Sequence, residues 1–251
     1  MGFYKFYFSP TGGTKQVADL VAEGWEIPCL PVDLMRKKLP QQLTEADICL
    51  FAVPSYGGRV PAPAAEQIKA LRGNGAKAVL IAVFGNRAID DTLLELSDLL
   101  TEAEFRCVAA IEAVAQHSLI PQYGAGRPDS RDGAELKNFA RQIRAAIKNR
   151  AEDQPLSLPG NRPYREYHGV PLKPAASKAC VSCGLCAKEC PVDAIPAHNF
   201  RLTDTERCIS CMHCVAVCPE HARKVSWMMQ AAAAQKMKKS CSKRKANRLY
   251  L

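Results

Sequence analysis

Residues 180–191 read CVSCGLCAKECP, and residues 208–219 read CISCMHCVAVCP. The second run repeats the cysteine spacing of the first with a shift of 28 positions, and both runs end in Cys-Pro. A [4Fe–4S] cluster needs four converging thiolates. A Cys-x2-Cys-x2-Cys run lets one tight loop reach three irons, while the fourth ligand comes from elsewhere. The duplication therefore predicts two [4Fe–4S] clusters, and the predicted ligands are Cys180, Cys183, Cys186, Cys190, Cys208, Cys211, Cys214 and Cys218.

Two other uses of cysteine compete with this interpretation. Structural zinc usually takes two Cys-x2-Cys pairs, and two sets of four that each end in Cys-Pro fit that pattern poorly. A disulfide scaffold belongs to an oxidising compartment, whereas this chain has no evident secretory signal and is expected to be cytoplasmic. Of the remaining cysteines, Cys29, Cys49 and Cys107 are predicted to lie buried on strands, and Cys241 is predicted to be an exposed, unpaired thiol.

Composition narrows the class of protein further. Hydrophobic residues make up 47% of the 251 residues, which is enough for a packed core and disfavours a disordered chain. No apolar run approaches the ~20 residues of a membrane-spanning helix, so no membrane span is expected. Residues 151–251 contain 16 basic and 8 acidic residues, whereas residues 1–150 contain 18 and 17. This asymmetry favours an acidic partner or a merely solvated basic tail, and nucleic acid is not expected.

Residues 1–150 alternate short apolar runs with helical patterns. The runs are rich in β-branched and aromatic residues, as buried parallel strands are. The predicted strands are 3–8, 27–34, 48–53, 78–84 and 105–115, and the predicted helices are 13–23, 63–71, 90–103 and 133–148. This alternation predicts a doubly wound parallel sheet, whose ligands bind beyond the carboxyl ends of the strands.

Three loops at that edge of the sheet form a candidate flavin site. The first strand leads into SPTGGTK (9–15), whose glycines let the backbone approach a phosphate and whose hydroxyls can donate hydrogen bonds to it. The loop lacks P-loop spacing and is poor in cations, which favours the phosphate of FMN. The loops PSYGGRVP (54–61) and FGNR (84–87) are expected to contact the isoalloxazine ring, with Tyr56 stacked on its face. The candidate FMN residues are Ser9, Thr11, Gly12, Gly13, Thr14, Pro54, Ser55, Tyr56, Gly57, Gly58, Phe84, Gly85, Asn86 and Arg87.

These motifs resemble known families. Residues 1–150 resemble a flavodoxin, and residues 178–222 resemble a bacterial two-[4Fe–4S] ferredoxin. The whole chain is similar to the flavodoxin–ferredoxin fusion proteins found mainly in anaerobic bacteria. The resemblance implies a five-stranded parallel sheet of order 2-1-3-4-5, a small α+β ferredoxin domain, FMN and two clusters. The chain departs from the family at Phe84, where members often have Tyr, and from many flavodoxins at Gly13, where they have Asn.

The resemblance also implies which cysteines share a cluster. In two-cluster ferredoxins the fourth cysteine of each run ligates the other cluster. The first cluster would then be held by Cys180, Cys183, Cys186 and Cys218, and the second by Cys208, Cys211, Cys214 and Cys190.

The sequence predicts an FMN-binding domain (1–150), a Pro/Gly-rich linker (151–175), a ferredoxin domain (176–225) and a basic tail (226–251). The linker is expected to wrap the first domain, because its tyrosines offer apolar area to bury. The tail is predicted to be helical over 225–239 and frayed over its last dozen residues. A long loop after the fifth strand is expected to cover the flavin or meet the ferredoxin domain, and its His117 is either structural or a catalytic acid.

Three functions remain open from the sequence. The leading hypothesis is an electron carrier that relays electrons between FMN, two [4Fe–4S] clusters and an external protein redox partner. The second is a flavin-dependent reductase of a small substrate that uses the clusters as an internal relay. The third is a cluster-binding regulatory or sensing protein with an empty flavin site. Neither an enzymatic activity nor an oligomeric state follows from the sequence.

Overall fold

The computed structural model describes residues 1–36, 42–149 and 155–251. The predicted boundary between the first domain and the linker, at residues 150 and 151, lies outside the described residues. In the first domain strands and helices alternate as the sequence predicts. They are β1 (Phe3–Tyr7), α1 (Gly13–Glu23), β2 (Leu30–Asp33), β3 (Ile48–Pro54), α2 (Ala62–Lys69), β4 (Lys77–Phe84), α3 (Thr92–Glu102), β5 (Arg106–Val114) and α4 (Ser130–Lys148).

The strands form a parallel sheet in the order 2-1-3-4-5, which confirms the predicted doubly wound fold. Because neighbouring strands run the same way, the loops after β1, β3, β4 and β5 meet at one edge. The second strand begins at Leu30 and not at the predicted residue 27.

Hydrophobic side chains cover both faces of the sheet. Helices α2 and α3 pack on one face, and α1 and α4 pack on the other. Strands β3 and β4 are buried along nearly their whole length, which explains their unbroken apolar runs. Helix α4 begins at Ser130, three residues before the predicted start. The reason is a capping box in which the Asp129 carboxylate accepts a hydrogen bond of 3.0 Å from the Asp132 N–H.

The C-terminal tail packs on the first domain, so the prediction of a frayed end is wrong. After α7 (Trp227–Cys241) the chain forms β8 (Arg248–Tyr250), which pairs antiparallel with β5 as a sixth strand of the sheet. Just before β8, the Asn247 carboxamide accepts a hydrogen bond of 2.9 Å from the N–H of Val114.

The predicted exposure of Cys241 is also wrong, because this thiol is only 1% exposed. It lies at the end of α7, where that helix packs against Ile120 and Tyr123 in the long loop after β5. That loop therefore supports the C-terminal helix, and two hydrogen bonds join them directly. The hydroxyl of Tyr123 donates to the carbonyl of Ala234, and the side-chain amide of Gln230 donates to the carbonyl of Leu119 at 2.6 Å.

The remaining elements are small. They are β6 (Ala175–Ala176), α5 (Leu185–Lys188), α6 (His213–Ala216) and β7 (Arg223–Lys224), with β6 and β7 paired antiparallel. The described part of the linker wraps the first domain, as its tyrosines suggested. The Asp91 carboxylate accepts hydrogen bonds from the N–H groups of Asn161 and Arg165, at 2.9 and 2.7 Å. Within the described ranges no helix is long and apolar enough to cross a membrane.

Candidate cofactor sites

A cavity of about 780 Å³ lies at the carboxyl edge of the sheet. Cavities of roughly 300–1,000 Å³ commonly hold small ligands and cofactors. Four parts of the chain form its walls: the loops after β1, β3, β4 and β5, the linker segment 165–172, residues 209–210, and one side of α7. The predicted FMN residues that line it are Thr11, Gly13, Thr14, Pro54, Ser55, Tyr56, Gly57, Phe84, Gly85 and Arg87.

The loop after β1 is shaped to receive an anion. Gly12 has a φ of +90°, a left-handed conformation that favours glycine, and it leads the chain into α1. Thr11 and Thr14 line the cavity beside the N-terminus of this helix, where a phosphate is stabilised. Ser9 instead braces the loop from within, because its Oγ accepts a hydrogen bond of 2.9 Å from the Lys15 N–H. The Lys15 ammonium pairs with an aspartate one turn later in α1, so hydroxyls and N–H groups are what the loop offers.

The loop after β3 is a tight turn in which Tyr56 and Arg59 exchange two backbone hydrogen bonds of 3.0 and 3.1 Å. Gly57 and Gly58 between them have φ values of +61° and +90°. The ring of Tyr167 from the linker packs so closely on Gly57 that a Cβ there would clash with it. Gly58 faces other linker and loop side chains instead of the cavity. This turn therefore presents Tyr56 and Gly57 to the cavity, and both of its glycines contact linker side chains.

The residues of the loop after β4 have two different roles. Phe84, Gly85 and Arg87 line the cavity. Asn86, predicted from the sequence to contact FMN, has its carboxamide engaged with backbone groups of the tail over residues 241–245. It donates at 2.5 and 3.0 Å and accepts at 3.1 Å. The side chain of Asn86 thus fastens the tail to the first domain.

Two smaller cavities are each surrounded by four cysteines. Each takes three cysteines from one run and the fourth from the other run, as the resemblance implies. The two sets are Cys180, Cys183, Cys186 and Cys218, and Cys190, Cys208, Cys211 and Cys214. In neither set, nor elsewhere among the described residues, do three or more His, Cys, Asp or Glu side chains lie close enough together to hold a single metal ion. Four thiols around one cavity are the donor set that a [4Fe–4S] cluster requires.

The two runs share their backbone conformation as well as their spacing. Cys190 and Cys218 each accept at Sγ a hydrogen bond of 3.3 Å from the backbone N–H four residues later. Such bonds stabilise thiolate ligands and raise the potential of a cluster. Left-handed residues also recur at equivalent positions. These are Ser182 and Ser210 (φ 57° and 55°), Gly184 and Met212 (φ 78° and 64°), and Asp193 and His221 (φ 51° and 46°).

The second cysteine cavity adjoins the cavity at the sheet edge, and Ile209 lines both. Burial raises the pKa of the Tyr56 hydroxyl, and Cys211 contributes to that shift, so the two side chains are neighbours. The His213 Nδ1–H donates a hydrogen bond of 2.7 Å to the carbonyl of Pro10 in the loop after β1. Burial also raises the pKa of the Cys211 thiol to about 12, so a bound metal is needed to hold it as a thiolate.

Sequence analysis missed one wall of the larger cavity, the inner side of α7. Its members recur at spacings of three and four residues, the periodicity of one helical face, and this signal was available in the sequence. They are Met229, Ala232, Ala233, Lys236 and Met237. The linker contribution, centred on Tyr167, has no comparable local signal.

Comparison with known proteins identifies the C-terminal module. Residues 179–223 match the family model of the 4Fe-4S dicluster domain. No curated protein sequence matches the chain. Solved structures similar to it include a flavodoxin from the domain Archaea, at 15% identity over 59% of this chain and 99% of that chain, with a TM-score of 0.44. Oxidised Flavodoxin 1 from Bacillus cereus is 15% identical over 58% of this chain and 98% of that chain, with a TM-score of 0.45. An azoreductase from Bacillus anthracis is 11% identical over 60% of this chain and 100% of that chain, with a TM-score of 0.35.

The chain thus has a doubly wound sheet of flavodoxin-like strand order and, C-terminal to it, a segment that matches the 4Fe-4S dicluster domain, as its motifs predict.

Proposed function

We propose that this chain is an electron-transfer protein with three cofactor sites in series. FMN would occupy the cavity at the sheet edge, and two [4Fe–4S] clusters would occupy the cysteine cavities. The observation that carries the proposal is Ile209, which forms a wall of both the flavin cavity and the second cysteine cavity. FMN exchanges one or two electrons and a cluster exchanges one, so the series would couple the two kinds of chemistry.

The first cysteine cavity, around Cys180, Cys183, Cys186 and Cys218, is the natural exit to a partner. Val181 beside it is 64% exposed, and Cys183 itself is exposed. Basic side chains adjoin this surface: Arg201 donates a hydrogen bond of 3.0 Å to the carbonyl of Cys180, and Lys178 is exposed nearby. These charges favour an acidic protein partner, whose reduction would slow as ionic strength rises. The cytoplasmic location expected from the sequence stays a prediction.

A second function, reduction of a small substrate at the flavin, is favoured by one observation. The linker and α7 cover the flavin cavity, and His117 and Arg87 line it. A reductase would show a rate that saturates with the concentration of a small acceptor. A carrier would instead reduce small acceptors in proportion to their concentration. Anaerobic purification followed by flavin, iron and sulfide analysis tests both functions against a sensing protein that lacks flavin.

The flavin site can be tested at Thr11. Thr11→Asp places a carboxylate where the FMN phosphate is expected, so repulsion should weaken FMN binding at least about tenfold, or ~1.4 kcal/mol. Fluorescence titration of the flavin-free protein with FMN measures this. Thr101→Asp, at an exposed position in α3, is the matched control and should bind FMN normally. Equal affinities in both variants would place the flavin elsewhere.

The crossed ligation can be tested by comparing Cys190→Ser with Cys218→Ser. Cys190→Ser should impair the cluster held by the cysteines of the second run, and Cys218→Ser should impair the cluster of the first run. Electron paramagnetic resonance of the reduced variants distinguishes the two clusters. If each substitution damages the cluster of its own run, the assignment is wrong.

A further inference from the structure

Arg223 is the most deeply buried cation of the ferredoxin module. The residue is 2% exposed, and its guanidinium donates hydrogen bonds to the carbonyls of Phe200 and Leu202 at 2.7 and 2.9 Å. It also donates to the hydroxyl of Thr203 at 2.8 Å, while its Nε has no hydrogen-bond partner. All of these acceptors are uncharged. Because arginine does not lose its proton in proteins, the positive charge remains in the interior.

A buried charge needs a counter-charge, because its removal from water costs several kcal/mol. Arg127, the comparable buried arginine of the first domain, has one: its Nε and Nη2 pair with the Asp132 carboxylate at 2.8 and 2.5 Å. Among the described residues, no carboxylate forms an ion pair with Arg223. No side chain of the described residues therefore supplies the missing negative charge.

Arg223 lines the cavity of the first cysteine set. Its charge is also felt at Cys214 of the second set. The internal repeat makes this placement asymmetric. The position equivalent to Arg223, 28 residues earlier, is Ile195, which is buried and lines the second cysteine cavity. One cavity thus has a permanent cation where the other has an aliphatic side chain.

We propose that Arg223 is the internal counter-charge of the first cluster and makes that cluster the more easily reduced of the two. This inference rests on the proposed cluster sites. A four-iron cluster with four thiolate ligands is an anion, and it gains one further negative charge when it accepts one electron. A nearby positive charge stabilises the reduced form more than the oxidised form, and so raises the potential. Electrons that enter from the flavin side would then run downhill from the second cluster to the first.

Arg223→Ile tests the proposal because it introduces the residue that the other repeat already has. Redox titration with dithionite, followed by electron paramagnetic resonance, measures the reduction potentials of both clusters. The signal that Cys218→Ser impairs is assigned to the first cluster. The first cluster should become harder to reduce, with a larger negative shift than the second, so that the two potentials converge. Lys224→Gln, at the exposed next residue, removes the same charge and should cause a much smaller shift. Unchanged potentials in Arg223→Ile, or a larger shift at the second cluster, would overturn the proposal.

Arg223→Lys distinguishes the effect of the positive charge from the effect of the guanidinium hydrogen bonds. The substitution keeps a cation but loses most of the hydrogen bonds to Phe200, Leu202 and Thr203. A first-cluster potential equal to that of the wild type supports the counter-charge, and a negative shift overturns it. The same variant decides the question if Arg223→Ile does not retain its clusters. Iron and sulfide analysis of the wild type tests the proposed function independently of Arg223. A wild-type protein without two four-iron clusters would contradict the proposed function itself.

Discussion

His117, in the wall of the cavity at the sheet edge, is held as a neutral imidazole. Burial lowers its pKa to about 4, and the charge of Arg87 adds to the shift. Its Nδ1 accepts hydrogen bonds from the N–H groups of Leu119 and Ile120, at 3.2 and 3.3 Å, so the ring proton lies on Nε2. At neutral pH this residue is an uncharged hydrogen-bond donor. That state fits a structural or flavin-orienting role better than the role of a catalytic acid.

The low pKa of His117 links folding to pH. The unfolded imidazole has a pKa near 6.5, so between that value and about 4 the unfolded chain binds more protons than the folded protein. The buried, neutral His117 therefore contributes stability above pH 6.5, and this contribution is lost as the pH falls from 6.5 toward 4. Between pH 7 and pH 5 the wild type should lose about 1–2 kcal/mol more unfolding free energy than His117→Gln. Guanidinium unfolding followed by far-ultraviolet circular dichroism measures the difference.

A control for this experiment is the exposed His198. His198→Gln makes the same chemical change at an exposed position outside the cavity, and it should keep the pH dependence of the wild type. If wild type and His117→Gln lose stability equally between pH 7 and pH 5, the neutral buried state of His117 is wrong.

At the scale of elements, α7 and β8 form one unit clamped to the first domain by Asn247 and Asn86. The Asn247 amide nitrogen donates to Asp132 and Glu135, at 3.0 and 2.6 Å, while its oxygen accepts from the backbone of β5. Because α7 also forms a wall of the cavity at the sheet edge, these contacts connect the end of the chain to the proposed cofactor site.

Asn247→Ala should loosen the tail. The substitution leaves the Val114 N–H and a buried carboxylate short of partners, which costs about 1–3 kcal/mol. Nine lysines and arginines follow residue 222 without any acidic residue, so an undocked tail is a good trypsin substrate. Limited trypsinolysis should therefore remove the tail much faster from Asn247→Ala than from the wild type. Gln235→Ala, at an exposed site on α7, should resist like the wild type. Equal cleavage rates for all three proteins would show that Asn247 does not hold the tail.

At the scale of the whole molecule, the two modules are interleaved and not merely joined. The sixth strand of the first domain comes from beyond the ferredoxin module, so separate halves would each lack part of the fold. Direct contacts between the modules include the His213–Pro10 hydrogen bond and an ion pair of 3.2 Å between Arg36 and Glu189. A test of electron transfer between the modules therefore requires the intact chain.

His213→Leu should slow electron transfer from flavin to cluster by several-fold. The substitution removes the hydrogen bond between the second cysteine run and the phosphate loop, and electron transfer falls steeply as distance grows. Flash photoreduction of the flavin, followed at cluster wavelengths, measures the rate. His213→Asn, whose amide can still donate to Pro10, should be slowed less, and His198→Leu should not be slowed. A wild-type rate in His213→Leu would show that this contact does not set the separation of the sites.

The sequence alone determined the features that rest on local patterns. Cysteine spacing within two short runs predicted the thiols that surround both small cavities, because ligands on one loop must lie a fixed few residues apart. Alternating apolar runs and helical periods predicted the sheet, because burial on both faces demands continuous apolar strands. The glycines of the turn after β1 predicted a tight entry into α1 for the same reason, because the conformation of such a turn is dictated by adjacent residues; phosphate binding there stays a prediction.

Only the tertiary structure decided how these parts meet. The side chain of Asn86 forms a hydrogen bond with a residue 157 positions later in the chain. The ring of Tyr167 packs against Gly57, and Ile209 lines both the cavity at the sheet edge and the second cysteine cavity. The role of the tail was mispredicted because a basic, polar stretch looks solvated until a complementary edge strand is available to pair with it. Arg223 likewise is one arginine among many in the sequence, and only burial without a carboxylate distinguishes it. Such contacts depend on the geometry of the completed fold, where residues far apart in the chain become neighbours, and no local pattern encodes that geometry.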